Sequence, residues 1–298
     1  MDPRRVTRNV ASILLLGLLL GGASVGIGGR RTRAPWSPST TVAGLTVASA
    51  DAQTVSDLVQ PFEVEGTRIR VRKADGSFAS NAELVGAVLV AREAGGIRNS
   101  FRIDSVDVDA DDPGGDVVLY SLSVKDRETG AWRNACMPDA KGLAKGFPLE
   151  GTWSATGEHL HTPKQFEMTC TGGAYGKCVR WGYKPWKSES MWDRHQACTR
   201  MVRADYCGDG IGHTRNGTPI DIYDEIGIQR DEPAPGMSFE AGWGKDGAVC
   251  VRKTRLPDVL TLDGVGVECG ARLVDLLGEA CTEAHAKLDG RTLVLNKS

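Results

Sequence analysis

Cysteine is absent from the first 135 residues of the chain and occurs eight times in the remainder. This asymmetry excludes disulfide cross-links from the N-terminal part of the sequence. An even number of cysteines behind an export-like N-terminus is typical of a disulfide framework, so we expect all eight to pair, with the connectivity left open. The cysteines are Cys136, Cys170, Cys178, Cys198, Cys207, Cys250, Cys269 and Cys281.

Motifs for the common cofactors are also missing. Behind the N-terminal hydrophobic segment, the sequence contains no P-loop and no H-E-x-x-H or G-x-S-x-G element. Its one G-x-G-x-x-G match, at 242–247 (GWGKDG), lies in a predicted β-hairpin and not between a strand and a helix, as a dinucleotide-binding fingerprint would. An acid-rich stretch at 107–112 (DVDADD) lacks the spacing of an EF-hand calcium loop and is interpreted as a solvated strand end and turn. The sequence therefore predicts neither a cofactor nor a metal site.

A strong net charge of either sign is missing as well. The chain has 36 basic and 38 acidic residues. Six of the basic residues and one acidic residue lie within 1–50, which leaves 30 basic and 37 acidic residues behind them, a net charge of −7. Nucleic-acid-binding surfaces carry an excess of positive charge, so we expect no nucleic-acid partner.

Long hydrophobic runs are confined to the N-terminus. Arg4, Arg5 and Arg8 precede an uncharged stretch whose leucine-rich part spans only Ile13 to Leu20. A membrane-spanning helix needs roughly 20 apolar residues, whereas a signal peptide needs fewer. Residues 1–52 are therefore interpreted as a signal peptide and flexible leader. We expect a secreted, periplasmic or envelope protein without a stable membrane span in the mature chain; the alternative is an N-terminal anchor with the domain outside the cytoplasm.

The pattern of the remaining sequence predicts an α+β fold. Residues 53–150 alternate around turns such as 74–76 (ADG), which predicts a β-rich N-terminal half, either an antiparallel sheet or a small barrel. Residues 151–298 are predicted to form a disulfide-stapled α+β C-terminal half, which either shares one core with 53–150 or forms a separate domain. Its predicted elements are a hairpin over 166–186, helices over 188–208 and 270–288, a hairpin around 245–247 and a terminal strand.

The helix predicted over 188–208 contains two cysteines, a histidine and two aspartates. At 100° per residue, Cys198 lies in the middle of the buried side, and Gly208 is the expected C-cap. His195 and Asp205 are ten residues apart, or about 15 Å along a helix axis, so these two and Cys198 cannot form a local catalytic triad. We interpret this segment as a core helix with oxidised cysteines.

Three linked segments resemble a known family. They are 176–186 (GKCVRWGYKPW), 195–210 (HQACTRMVRADYCGDG) and 213–224 (HTRNGTPIDIYD), and together they resemble the ADYC domain of exported bacterial proteins. The family name corresponds here to residues 204–207, and the resemblance is strongest over Phe166 to Gln229. It implies a bacterial envelope or secreted protein and brings no established activity.

A cysteine-dependent enzyme is the alternative function. Residues 174–182 (AYGKCVRWG) faintly resemble the nucleophile motif of L,D-transpeptidases, which act on peptidoglycan. By that resemblance Cys178 would be the nucleophile and Arg180 its following arginine, with His161 as the base. Gly176 and Lys177 depart from the motif. The competing interpretation is that Cys178 forms a disulfide, with Cys170 as a suggested partner.

A binding or structural role is the preferred function, and two segments are candidates for binding. Trp181, Tyr183 and Trp186 alternate in sequence and could stack on sugar rings or grip an extended peptide; otherwise they pack over the core. The loop that follows the central helix supplies the second set, which comprises Asp209, His213, Arg215, Asp221 and Asp224. The expected partner is an envelope glycan or a peptide.

Overall fold

A computed structural model describes residues 46–48, 58–92, 98–162, 165–273 and 275–298. The predicted signal peptide and leader lie outside these residues, apart from a strand at Thr46–Ala48 (β1). This strand pairs antiparallel with residues 88–90. The prediction of a leader without regular structure is therefore wrong for these three residues.

Antiparallel strands make up most of the N-terminal half, as predicted. The main sheet has the strand order β1-β4-β5-β6-β8-β11, with β7 paired to β6, and it is not closed into a barrel among the described residues. Strands β2–β3 and β9–β10 form separate hairpins. The elements after β1 are β2 (Leu58–Glu65), β3 (Arg68–Lys73), α1 (Asn81–Leu84), β4 (Val88–Arg92), β5 (Arg98–Val108), β6 (Val118–Lys125), β7 (Trp132–Asn134), β8 (Gly146–Glu150), β9 (Thr152–Trp153), β10 (His159–Leu160) and β11 (Phe166–Cys170).

Alternation along the strands builds the N-terminal core. In β3, Ile69 and Val71 are buried, whereas the flanking arginines face solvent. These two side chains pack in one cluster with Tyr120 and Phe147 of the main sheet. The Tyr120 hydroxyl also accepts a 2.8 Å hydrogen bond from the Ile69 N–H. The β2–β3 hairpin therefore covers the sheet through both apolar contact and a polar link.

The turn of this hairpin differs from the prediction. Glu65 pairs with Arg68, so the chain reverses at Gly66, whose φ of 62° favours glycine. The predicted turn at 74–76 instead carries the chain from β3 into an isolated bridge between Arg72 and Phe78. The sequence marked both turns with glycine but did not show which one joins two full strands.

The C-terminal half combines short helices with a second antiparallel sheet of order β12-β15-β13-β14. The last strand therefore lies inside this sheet, between strands that are far earlier in sequence. No helix among the described residues is long and apolar enough to cross a bilayer. The elements are α2 (Ala174–Arg180), α3 (Glu189–Arg203), β12 (Asp221–Tyr223), β13 (Phe239–Gly244), β14 (Gly247–Val251), α4 (Leu262–Cys269), α5 (Glu283–Leu288) and β15 (Val294–Lys297), with 3-10 turns at Pro185–Lys187, Gly270–Arg272 and Gly278–Ala280.

Two of the predicted C-terminal elements are wrong. Residues 174–180 form a helix instead of the second strand of a hairpin, and 270–288 is not one continuous helix. Gly270 and Gly278 both have φ of 59°, a positive value that favours glycine and interrupts a helix, and among the described residues of this range only 283–288 is α-helical. The central helix, the hairpin around 245–247 and the terminal strand are confirmed.

The two halves of the chain share structure. β8, which ends at Glu150, pairs antiparallel with β11, which begins at Phe166, and Phe147 lies opposite Thr169. Tyr175 and Val179 of α2 belong to the same apolar cluster as the N-terminal sheet. The predicted boundary between 53–150 and 151–298 therefore falls within a continuous sheet.

All eight cysteines form disulfides, and the structure gives the connectivity that the sequence left open. The pairs are Cys136–Cys170, Cys178–Cys198, Cys207–Cys269 and Cys250–Cys281. The suggested Cys170–Cys178 pair is wrong, because α2 begins between these residues and directs Cys178 toward α3. Cys178 and Cys198 are both fully buried, as the helical geometry of α3 predicted for Cys198.

Candidate ligand groove

The aromatic segment at 181–186 does not form a common surface. Tyr183 is fully buried, and its hydroxyl donates a 2.8 Å hydrogen bond to Asp224 Oδ2. Trp181 is half-buried against the C-terminal core, whereas Trp186 packs against the N-terminal core and donates from Nε1 to Asp116. The three rings therefore divide between two cores, which leaves no shared platform for a sugar or peptide.

Asp224 and Asp221 organise backbone and ion pairs. Asp224 is buried, and its carboxylate accepts hydrogen bonds from the N–H groups of Ile226, Ile228 and Gln229 at 2.8–3.2 Å. It therefore closes the turn that follows β12. The Asp221 carboxylate lies 3.7 Å from Lys297 Nζ, and burial raises the pKa of Asp221 while this lysine opposes the rise.

The other predicted loop residues each engage a different partner. Asp209 accepts a 2.9 Å hydrogen bond from the N–H of Ile211 and closes a local turn. His213 is buried beside the Tyr206 ring, with Nε2 3.5 Å from a Glu268 oxygen. The exposed Arg215 pairs with Asp258 at 2.5 Å. The structure thus does not bring these side chains together around one cavity.

The cysteine nucleophile hypothesis is wrong for this oxidised protein. The Sγ atom of Cys178 is bonded to Cys198, and both residues are fully buried, so no thiolate is available there. His161 is exposed beyond β10. Arg180 donates from Nε to Asp109 at 2.6 Å and from Nη1 to Asp139 at 3.0 Å, and the bond to Asp109 raises its pKa.

Arg180, at the end of α2, is part of a wider set of ion pairs between residues 180–184 and aspartates within and just after the acid-rich stretch. Lys184 Nζ lies 2.5 Å from oxygens of both Asp112 and Asp116. Asp109 and Asp112 are buried, so the prediction of a solvated strand end is wrong for these two carboxylates. Among the described residues, no group of three or more His, Cys, Asp or Glu side chains is placed to hold a metal ion.

The A-D-Y-C tetrapeptide at 204–207 follows directly after α3. Ala204 ends the helix in the left-handed conformation, with φ of 50°, and its N–H donates to the carbonyls of Arg200 and Met201. The predicted cap, Gly208, lies further on. It also has a left-handed φ, and a Cβ there would overlap the Asp246 carbonyl oxygen, so this close backbone approach requires glycine.

Asp205 stabilises the start of the loop behind α3. Its buried carboxylate accepts a 2.6 Å hydrogen bond from Arg200, and 3.1 and 3.0 Å bonds from the N–H groups of Asp209 and Gly210. Burial raises the pKa of Asp205, and the charge of Arg200 counteracts this. All three bonds come from groups of the same chain, so the carboxylate acts within the fold.

Tyr206 belongs to a buried polar network in the C-terminal core. Its hydroxyl donates to Glu240 at 3.1 Å and accepts a 2.8 Å bond from the Arg255 N–H. Glu240 receives two 3.0 Å bonds from the Arg255 guanidinium and a 2.8 Å bond from Asn296, whose Oδ1 accepts from Trp243. With Cys207 in a disulfide, the tetrapeptide supports the fold and leaves no group free for chemistry.

An open groove of about 440 Å³ lies at one end of the second sheet. One wall consists of Phe239 at the start of β13 together with Arg252 and Lys253, which follow β14. The opposite wall is the segment 279–283, which the Cys250–Cys281 disulfide fastens to β14. The groove is thus held open by a covalent link between the sheet and the start of α5.

The groove presents charges of both signs beside an aromatic ring. Arg252 pairs with Glu279 at 2.6 Å, but the Glu279 side chain is 92% exposed. Glu283 lies 2.9 Å from Lys287, and this contact raises the pKa of Lys287. Exposed ion pairs of this kind contribute little stability, so their members can exchange partners with a charged ligand at low cost.

Sequence reasoning missed this groove because three distant segments build it. The hairpin that contains Phe239 and Arg252 was predicted, but 279–283 was assigned to a continuous helix. The Cys250–Cys281 disulfide and the Arg252–Glu279 ion pair bring the two together, and the sequence left the disulfide pairing open. Gly278 was the one local signal in the sequence from which a helix break could have been predicted here.

Comparison with known proteins places the chain in a family without adding an activity. No curated protein and no solved structure shows significant similarity to it. A family model described as the ADYC domain matches residues 81–257, which is more than half of the chain and includes the tetrapeptide at 204–207. The match confirms the resemblance found in the sequence, and the chain belongs to the ADYC domain family.

Proposed function

We propose that this protein is an exported binding protein of the cell envelope or extracellular space, and that its groove holds a short peptide carrying both a carboxylate and an amine. The export-like N-terminus and four disulfides support a location outside the cytoplasm. The groove at Phe239 supports the binding role, since its volume lies within the range of small-ligand sites, about 300–1,000 Å³.

The charges that line the groove are the reason for proposing a zwitterionic peptide as the ligand. Arg252 and Lys253 can bind a carboxylate, while Glu279 and Glu283 can bind an amine, and Phe239 supplies apolar contact. Both signs are therefore present within one groove. A neutral glycan offers no charge to any of these four groups, whereas a zwitterionic peptide can pair with both walls.

Calorimetric titration of the purified protein with a small zwitterionic peptide, Glu-Ala-Lys, tests the binding role. A neutral oligomer of N-acetylglucosamine serves as the second probe. We expect saturable binding of the peptide, weaker binding as salt is added, and no binding of the sugar. Sugar binding without peptide binding would overturn the choice of ligand, and the absence of both would overturn the groove as a site for this class.

Single-charge variants locate the binding. Replacing Arg252→Gln or Glu283→Gln removes one of the two like charges from one wall, and we expect each to weaken peptide binding about ten-fold. Arg215→Gln is the matched control, because it also removes an exposed ion-paired arginine but from a residue that does not line the groove. An equal loss of binding in the control would contradict the assignment.

Export is tested separately, by N-terminal sequencing of the protein recovered outside the cytoplasm. We expect a mature N-terminus behind the hydrophobic stretch that ends at Leu20. Retention of an intact chain in the cytoplasm, with its cysteines reduced, would overturn the proposed location.

A further inference from the structure

The loop between α3 and β12 contains an exposed Asn-Gly turn, which is independent of the groove. Asn216 is followed by Gly217, and this is the single Asn-Gly pair in the sequence. Both residues are exposed, in a turn closed by a 3.2 Å hydrogen bond from the Thr218 N–H to the Arg215 carbonyl. Gly217 has φ of 86°, and no atom lies within 4 Å of the position a Cβ would occupy.

This arrangement leaves the side-chain amide of Asn216 open to attack by its own backbone. After loss of its proton, the Gly217 nitrogen can bond to Cγ of Asn216, because glycine has no side chain to shield it. The Cγ–Nδ2 bond then breaks, ammonia leaves and a five-membered succinimide remains. Water opens this ring at either carbonyl and yields aspartate or isoaspartate. The sequence of steps consumes one water, releases one ammonia and needs no oxidant or enzyme.

We propose that Asn216 is a site of spontaneous deamidation, so that the protein acquires a negative charge in this turn as it ages. The new carboxylate lies next to Arg215, which already pairs with Asp258. It therefore competes with Asp258 for the same guanidinium. Where isoaspartate forms, the main chain also gains one bond in the turn that leads toward β12.

Other asparagines of the chain show why the structure singles out Asn216. Asn296 is fully buried, and its amide donates to Glu240 at 2.8 Å and accepts from Trp243 at 2.8 Å. The Asn134 amide donates to the Ala144 carbonyl at 3.1 Å and accepts from the Cys136 N–H at 2.8 Å. Neither is followed by glycine. Both amides are held by hydrogen bonds, which would have to break before Cγ could turn toward the following nitrogen.

Incubation of the purified, oxidised protein in mildly alkaline buffer, followed by peptide mapping with mass spectrometry, tests the proposal. We expect the peptide that contains Asn216 to gain about one dalton, since an amide NH2 is replaced by a hydroxyl, several-fold faster than the peptide that contains Asn134. The rate should rise with pH, because the attacking nitrogen must lose its proton. Equal rates at the two sites would overturn the proposal.

Two variants separate the mechanism from simple exposure. Asn216→Gln keeps an exposed amide but requires a larger ring, so conversion should become undetectable. Gly217→Asp adds a side chain over the nitrogen while tolerating the left-handed backbone better than most residues, so conversion should fall several-fold with the fold retained. Undiminished conversion in the Gly217→Asp variant, with a native circular dichroism spectrum, would contradict attack by the backbone nitrogen.

Discussion

The two halves of the molecule reach stability in different ways. The N-terminal sheet has long strands, up to 11 residues, and a largely apolar core. A single disulfide, Cys136–Cys170, joins its strands. The C-terminal sheet has strands of only three to six residues, three disulfides around it, and the Glu240–Arg255 pair buried at its centre.

The difference follows from strand length and composition. Long alternating strands bury enough apolar surface to define their own register. Short strands bury less, so covalent links and a polar network must specify how they pack. Buried ion pairs contribute little net stability relative to apolar replacements, but removing one partner is costly. We therefore expect the C-terminal half to be the more sensitive to single changes.

The largest effect on stability should come from removal of residues 258–298, which follow the region matched by the family model. A chain that ends at Pro257 loses β15 from the middle of the second sheet and the partners of Cys207 and Cys250. We expect it to lose cooperative unfolding in urea, with the full chain as control. Cooperative unfolding of the shortened chain would show that the residues up to 257 fold without 258–298 and would contradict this expectation.

Breaking the buried ion pair should have the next largest effect. Glu240→Gln leaves the Arg255 charge without its carboxylate in a site where both side chains are at most 1% exposed. We expect the free energy of unfolding to fall by about 3–5 kcal/mol, measured by urea denaturation. Asp258→Asn, which breaks an exposed arginine pair, is the matched control and should leave stability unchanged. Similar losses in both variants would contradict the comparison.

The periodicity of the sequence predicted several buried side chains of this fold, but it did not predict the tertiary contacts. The burial of Ile69 and Val71, and of Cys198 on α3, follows from the periods of strands and helices. The helix end at Ala204 was missed, because alanine gives no local signal for a left-handed residue and Gly208 gave a strong one. The break at Gly278 was missed because the surrounding residues favour a helix.

The candidate site was less predictable than the fold, for a physical reason. The predicted binding residues were chosen by type, but Tyr183 and Asp224 hydrogen-bond to each other in the core, and His213 is buried beside Tyr206 and Glu268. Whether a polar side chain faces a ligand depends on which segments pack over it. The groove depends on the Cys250–Cys281 pairing, and disulfide pairing is a property of the folded chain.

Acid should weaken the protein through a histidine at the border of the two halves. His195 is completely buried beside Trp192, Tyr175 and His159, with Nε2 3.1 Å from the Tyr175 carbonyl oxygen. Burial lowers its pKa from 6.5 to about 4. Between these values the unfolded chain binds a proton that the folded chain does not, so stability falls as pH falls from 7 toward 4.

The expected loss through His195 is about 3 kcal/mol, from 1.36 kcal/mol per pKa unit. His195→Gln retains a donor for the Tyr175 carbonyl but cannot be protonated, so urea denaturation should show a shallower decline of stability with acid. Burial also lowers the pKa of His159, so this histidine should account for part of the pH dependence of stability that remains in the His195→Gln variant. His285→Gln, at an exposed histidine, is the control. A slope unchanged by His195→Gln would contradict this account.

The smallest expected effect is the difference between two disulfides. Cys136–Cys170 and Cys178–Cys198 close loops of 34 and 20 residues, so loop entropy predicts a similar loss, about 3 kcal/mol, when either pair is replaced by alanine. The second pair is fully buried between α2 and α3, so its removal also leaves a cavity, which adds about 1 kcal/mol. Urea denaturation of the two double-alanine variants measures this difference. Equal losses of stability would mean that chain entropy alone accounts for the contribution of both disulfides. The larger number of disulfides in the C-terminal half would then not reflect a greater dependence of that half on packing.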